Sequence, residues 1–134
     1  MKIGELAKRT ETTVETIRFY EKEGLLPQPS RSEGNYRLYG DEHYERLRFI
    51  RHCRTLDMAL DEVRILLQYR DTPAEDCGDV NALLDEHIGA VEARIESLVQ
   101  LKQHLVTLRQ KCTSTAPTES CGILGALADN SCHA

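Results

Sequence analysis

Cysteine thiolates are the most chemically capable groups in this sequence, and three of its five cysteines stand at the two ends of one amphipathic stretch. Cys77 lies just before residues 80–112, which carry the stretch, and Cys121 follows Cys112 after eight small or polar residues, 113–120. Thiolates select soft ions, and a thiol must lose its proton to bind one. If the stretch is a helix, its roughly 33 residues at 1.5 Å rise hold Cys77 and Cys112 about 50 Å apart. A shared ligand then requires a second chain running antiparallel, whose Cys77 comes beside Cys112 and Cys121. Such a dimer carries two equivalent three-sulfur sites, one at each end.

The element that must position these thiols has its own signature. Leu84, Val91, Leu98, Leu105 and Cys112 recur every seven residues, Leu101 and Leu108 occupy intervening seam positions, and Ile88 and Ile95 broaden the stripe. A sustained seven-residue period predicts a coiled-coil seam rather than a helix lying on its own domain. His87 and Arg94 interrupt the seam, and His87 and His104 read as flanking side chains rather than ligands.

A chain of 134 residues suits one small domain plus an extended helix. The opening MKIGELAKRT has no apolar signal region and no run approaches a membrane span, so a soluble cytoplasmic protein with reduced thiols is expected. In that setting cysteines read as metal or redox ligands before disulfides. The net charge of −5 is unevenly spread. Residues 1–56 hold 11 Lys and Arg against 9 Asp and Glu, and residues 57–134 hold 6 against 13. A phosphate-binding surface needs only local positive charge. Arg46, Arg48, Arg51 and Arg54 fall within nine residues, as a cationic patch or a solvated helix face, and Arg31 and Arg37 flank a glycine-containing segment.

The first half reads as short helices with a hairpin between them. A helix over 3–8 turns Ile3, Leu6 and Ala7 inward; residues 10–13 make a turn; and Thr13 caps a second helix. Val14, Ile17 and Phe19 of that helix are expected to face the core, leaving Arg18 exposed with Tyr20 nearby, as in a helix-turn-helix. Gly24 stops the helix, and Pro27 and Pro29 keep the chain extended. In RSEGNYRLY, residues 31–39, Gly34-Asn35 supplies the positive-φ turn of a hairpin, with Tyr36 and Leu38 alternating against Arg37 and Tyr39. A hairpin in this place is a wing. Asp41 is expected to cap a helix reaching about Leu56, and a further helix covers 60–69. The predicted fold is all-α with a small β wing: a winged helix-turn-helix DNA-binding domain with its following helix pair (1–70), a hinge (71–79), a long antiparallel coiled-coil dimerisation helix (80–112), and a metal-binding loop and tail (113–134).

The segments IGELAKRT, ETIRFYEKEGLL, RSEGNYRLY and FIRHCRTLDMALDEVRILL resemble the MerR family of bacterial transcription activators, over essentially the whole chain. DCGDVNALLDEHI, the Cys112–Cys121 loop and SCGIL are similar to its lead- and cadmium-responsive branch. The resemblance implies a homodimer on a palindrome within a promoter whose spacer is too long. Metal binding makes the dimer bend and untwist that DNA so that bound RNA polymerase can open it, a readout through deformation. By the same resemblance Arg18, Tyr20, Arg31, Tyr36, Arg37 and Arg54 would contact DNA, mostly at phosphates, with Arg18 placed to reach bases and Tyr20 alternatively a core aromatic. An adjacent metal exporter is the implied target.

The resemblance also places Cys77 among sensors of divalent ions, where sensors of monovalent copper, silver and gold have Ser. Zinc sensors of the family show paired cysteines and a histidine in the loop, which KCTSTAPTESC does not. A three-sulfur set of Cys77, Cys112 and Cys121 suits the lone-pair pyramid of Pb(II), and also trigonal Hg(II). Cd(II) would draw a fourth ligand from water, Glu119 or the tail; Zn(II) stays an alternative inducer. Cys132-His133 could complete such a shell, form a second weak site or lie in an unordered tail, and Cys53 reads as a packed core or surface residue. The competing classes are a thiol redox sensor, with Cys112 and Cys121 as a reversible disulfide pair, and a thiol enzyme. For the enzyme, no Cys-His-Asx set is expected to share a pocket and nothing supplies an oxyanion hole, and only 22 residues follow the coil, too few for a drug-binding domain.

Overall fold

The computed structural model describes residues 1–134 apart from Ser114, Ala116, Ala134 and the side chain of His133. Its chain forms two compact units, Met1–Leu83 and Leu84–Ala134.

The first unit opens with α1 (Ile3–Arg9) and α2 (Val14–Lys22), joined by a tight turn. Thr13 caps α2 as its sequence position predicts, accepting from the Thr16 N–H at 3.1 Å. Ile17 and Glu21, one turn apart, are buried, and Val14 and Tyr20 pack against the same core. Phe19 does not. It stands about 200° around the helix from Ile17 and is 45% exposed, which corrects its expected core placement. Gly24, at φ 75°, turns the chain out of α2 as expected.

The wing pairs β1 (Ser30–Arg31) with β2 (Arg37–Leu38), antiparallel, with Arg31 opposite Arg37. Its turn differs from the expected one. The Asn35 N–H donates to the Ser32 carbonyl at 2.9 Å, which puts Glu33 and Gly34 at the turn's centre, and Asn35 alone takes positive φ, 64°. The alternation also breaks at its end: Tyr36 is exposed and Tyr39 is buried.

Helix α3 (Asp41–Thr55) begins after Gly40, so Asp41 lies in the first turn rather than at the cap. The cap is made by His43, whose Nδ1 accepts from the Gly40 N–H at 3.1 Å while its Nε2 donates to the Pro27 carbonyl at 3.0 Å. Helix α4 (Leu60–Arg70) opens with the Glu62 carboxylate accepting from the Ala59 N–H at 3.0 Å. Leu6, Ile17, Leu25, Leu47, Ile50, Val63 and Leu67 make the core, each at most 1% exposed. Each such side chain contributes about 1.5–3 kcal/mol.

Helix α5 spans Gly78–Arg109 without interruption. It starts two residues before the expected 80–112 boundary because the Asp76 carboxylate accepts from the Gly78 N–H at 2.8 Å and the Cys77 carbonyl accepts from the Asn81 N–H at 2.9 Å. The hinge is correspondingly shorter. The helix ends before Cys112, where the bonds tighten to an i→i+3 pattern: Lys111 N–H to Leu108 O at 3.1 Å and Cys112 N–H to Arg109 O at 3.4 Å. Along the second unit, Val91, Ile95, Leu98, Leu101 and Leu105 are all exposed on this single chain. A 3-10 turn (Thr118–Ser120), α6 (Gly122–Ala128) and a last 3-10 turn (Ser131–His133) complete the unit. Among the described residues no helix is long and apolar enough to cross a membrane.

Candidate DNA interface and candidate metal-binding residues

The outward face of α2 meets the wing around an open cavity of about 510 Å³ lined by Lys2, Ile3, Arg18, Arg31, Asn35, Tyr36 and Arg37. Four of the expected contact residues, Arg18, Arg31, Tyr36 and Arg37, are thus brought to one place. The lining has four cations and no carboxylate, the charge balance a phosphate needs. Lys2, which the sequence reading passed over, joins them with its ammonium 5.3 Å from the centre of the Tyr36 ring. A cation next to the first helix of a helix-turn-helix was the available signal.

Internal bonds shape this face. Arg31 donates to the Asn35 carbonyl at 3.1 Å, bracing the wing turn. Arg37 pairs with the buried Glu21 at 3.6 Å. Tyr39 donates to Glu21 at 2.7 Å, and burial, reinforced by that carboxylate, pushes its phenol up to about 12. Tyr20 lies half-buried against the core, with its ring 5.9 Å from that of Phe19.

Arg54 and the other arginines of α3 are not a free cationic stripe. Arg54 donates to the Met58 carbonyl at 2.7 Å and Arg51 to Glu11 at 2.5 Å. Arg48 lies 5.6 Å from the centre of the Tyr44 ring, and Arg46 pairs with Asp71 at 2.9 Å. The expected cationic cluster is therefore mostly committed within the fold, because oxygens outside α3 hold Arg46, Arg51 and Arg54 and a ring of α3 itself lies beside Arg48.

The cysteines divide between the units. Cys77 is exposed at the head of α5, where the Asn81 amide lies 3.9 Å from its sulfur. A cavity of about 310 Å³ beside it is lined by Phe49, Leu66, Tyr69, Arg70, Pro73, Glu75, Asp76 and Val80. The Tyr69 hydroxyl donates to Asp79 of the first turn of α5.

Cys112 and Cys121 come together in the second unit. The Cys112 thiol hydrogen-bonds the Cys121 sulfur, which also receives the N–H groups of Leu124 and Ile123. The Leu124 N–H is the largest influence, and together these donors hold the Cys121 thiol below its ordinary range against the opposing effect of burial. The approach depends on Gly122: a Cβ there would stand 2.2 Å from the Lys111 carbonyl oxygen. Arg109 donates to the Cys112 carbonyl at 2.7 Å and, with Thr113, Thr115 and Ile123, lines an adjoining cavity of about 480 Å³. A thiolate-favouring sulfur beside a second sulfur fits a soft divalent ion. Among the described residues of one chain, no three His, Cys, Asp or Glu side chains gather into a metal-holding group.

Cys53 is buried in the core, and burial pushes its thiol up, as befits a packing residue. Cys132 is half-buried, whereas the expectation for the His133 side chain lies outside the described residues.

Comparison with known proteins places the chain in a family. Residues 1–70 match the model of the MerR HTH family regulatory proteins, and residues 44–108 match that of the MerR DNA-binding family. The chain is 46% identical over 114 residues to the HTH-type transcriptional regulator ZntR homolog of Haemophilus influenzae, covering 85% of this chain and 84% of that one. Its fold superposes on the transcription regulator PbrR691 of Ralstonia metallidurans CH34, solved in complex with lead(II), with a TM-score of 0.86 and 52% identity over 95% of this chain and 98% of that one. A mercury(II) complex of MerR from Bacillus megaterium MB1 follows at a TM-score of 0.73 and 28% identity, covering 96% of this chain and 99% of that one. The chain belongs to the MerR family of helix-turn-helix transcriptional regulators, among whose members it matches the metal-responsive ones.

Proposed function

We propose that this chain is a lead-responsive transcription activator that works as a homodimer in the cytoplasm. Its two winged heads bind a promoter palindrome through Arg18, Tyr20, Arg31, Tyr36, Arg37 and Arg54, with Lys2 added to that set. Binding of Pb(II) to Cys77 of one chain and Cys112 and Cys121 of the other distorts the promoter so that RNA polymerase opens it, turning on metal-export genes.

The observation that carries this reading is the close approach of the Cys121 turn to the end of α5, where a Cβ on Gly122 would stand 2.2 Å from the Lys111 carbonyl oxygen and Cys112 acts on Cys121 as a hydrogen-bond partner. Two converging sulfurs supply most of a three-sulfur shell and leave one place open. Cys77 stands in sequence beyond an uninterrupted 32-residue helix, so a second chain is the natural donor of the third sulfur. The apolar stripe of α5 offers that chain a seam of the right period. The lead(II) in the solved relative at 52% identity supports the choice of ion, with Cd(II) and Hg(II) the neighbouring thiophiles.

A zinc-responsive reading has one observation in its favour, the 46% identity to the ZntR homolog. Reporter induction by Pb, Cd, Zn and Hg salts decides between them. Pb(II) is expected to induce at the lowest concentration, and single Ser replacements of Cys77, Cys112 or Cys121 are expected to abolish induction while operator binding persists. Zn(II) inducing below Pb(II) would replace the proposed ion, and full induction by any of the three variants would overturn the ligand set.

A further inference from the structure

Asp71 follows the last turn of α4 and opens the segment that leads to Cys77. Arg46, from the first half of α3, holds both of its carboxylate oxygens, at 2.9 and 3.0 Å. The same guanidinium reaches the other way: its Nε donates to the Leu25 carbonyl at 2.7 Å. Leu25 is buried and follows Gly24, the positive-φ residue at which the chain leaves α2 for the wing. One planar, rigid side chain thus joins the start of the Cys77 segment to the corner between the two elements of the DNA face.

A second arginine grips the same corner. Arg64 of α4 donates to the Glu23 carbonyl at 2.6 Å and pairs with the Glu23 carboxylate at 3.7 Å. The corner is therefore fastened to α3 and α4 at two carbonyls, Leu25 and Glu23, on either side of Gly24, and one of those fasteners ends on Asp71.

Stability does not account for the Arg46–Asp71 contact. The Asp71 side chain is 52% exposed against 15% for Arg46, and a pair so open to water contributes at most about 1 kcal/mol. What the contact adds is position: one nitrogen, Nη1, meets both carboxylate oxygens while Nε of the same planar guanidinium is held on the Leu25 carbonyl.

We propose that the Arg46–Asp71 pair is a positioning contact through which the Cys77 segment sets the placement of α2 relative to the wing. The inference rests on the proposed metal response. When Cys77 is drawn into a metal site, the segment headed by Asp71 shifts, Arg46 follows its carboxylate, and the Leu25 carbonyl at the corner moves with Arg46. The two DNA-contacting elements on either side of that corner are thereby re-aimed.

The test uses the full-length dimer carrying Asp71→Ala, Asp71→Asn and Asp71→Glu. Three quantities are measured: Pb(II)–thiolate absorbance, operator affinity without metal, and the Pb(II)-dependent rise in fluorescence of 2-aminopurine placed at the operator centre. For Asp71→Ala and Asp71→Asn the first two should stay within about twofold of wild type while the fluorescence rise falls about tenfold or more, a typical size for coupling between sites. Asp71→Glu, which keeps the charge, should retain most of the rise. Asn preserves the side-chain volume, so a folding failure of the Ala variant leaves the Asn variant to decide. A full rise in the Asn variant overturns the proposal, as does a loss of operator affinity or metal binding that parallels the loss of response. If the wild-type dimer itself shows no metal-dependent rise, the proposed function fails and takes this inference with it.

Discussion

Tyr39, at the outgoing end of the wing, donates its phenolic hydrogen to Glu21 of α2 across 2.7 Å, and Arg37 approaches the same carboxylate at 3.6 Å. This buried junction ties the wing to the second helix, so that its arginines and Arg18 share one face.

The junction makes the fold sensitive to strong base. Tyr39 ionises at about 12 rather than at 10.0, so the folded state disfavours the phenolate. The stability this contributes is fully present below pH 10 and is lost as pH rises toward 12. Tyrosine absorbance of the folded protein should show one of its five phenols titrating near pH 12, and Tyr39→Phe should remove that phase. The variant should also lose about 1–3 kcal/mol in denaturant unfolding, because a buried carboxylate forfeits a donor. A titration unchanged by Tyr39→Phe would contradict the junction.

At the DNA face, Arg18→Ala or Arg37→Ala should weaken operator binding without affecting dimerisation. Each lost phosphate contact should reduce the salt slope of log K by about 0.9. Lys2→Ala should behave alike, since its ammonium lies over Tyr36 in the same cavity. Unchanged affinity and slope in all three would remove this face as the docking surface.

The helix-turn-helix was legible because its signals are local: a Thr cap, a Gly stop, and apolar residues at helical spacing. Elsewhere the helical period or a partner from another part of the chain decides the placement. Phe19 looked like core by hydrophobicity alone, yet the helical period places it opposite Ile17. Asp41 looked like a cap until the imidazole of His43, tied to Pro27, occupied that role. The arginines of α3 read as one cationic patch because their partners, Glu11, Met58 and Asp71, come from distant or separate segments. Spacing set out the three cysteines of the candidate site, but that Cys112 and Cys121 touch depends on Gly122 and on the N–H groups of α6.

Gly122 provides a test of that pairing. Adding one methyl group in Gly122→Ala puts carbon 2.2 Å from the Lys111 oxygen, so α6 must move away from the end of α5. Pb(II) affinity should drop about 10- to 100-fold, the usual cost of disturbing the support of a metal ligand. Operator binding in the absence of metal should be unaffected. Wild-type metal affinity in this variant would show that the close approach is not needed.

The most direct measurement bears on a site built from two chains. A Cys77→Ser chain and a Cys112→Ser/Cys121→Ser chain are each expected to be silent as homodimers, because each lacks part of every site. In the heterodimer the first chain supplies Cys112 and Cys121 and the second supplies Cys77, so one end of the coil is complete and the other has none of the three thiols. Titrating purified heterodimer with Pb(II) should therefore recover the thiolate–metal absorption band at half the wild-type stoichiometry. No band from verified heterodimer would contradict the shared site.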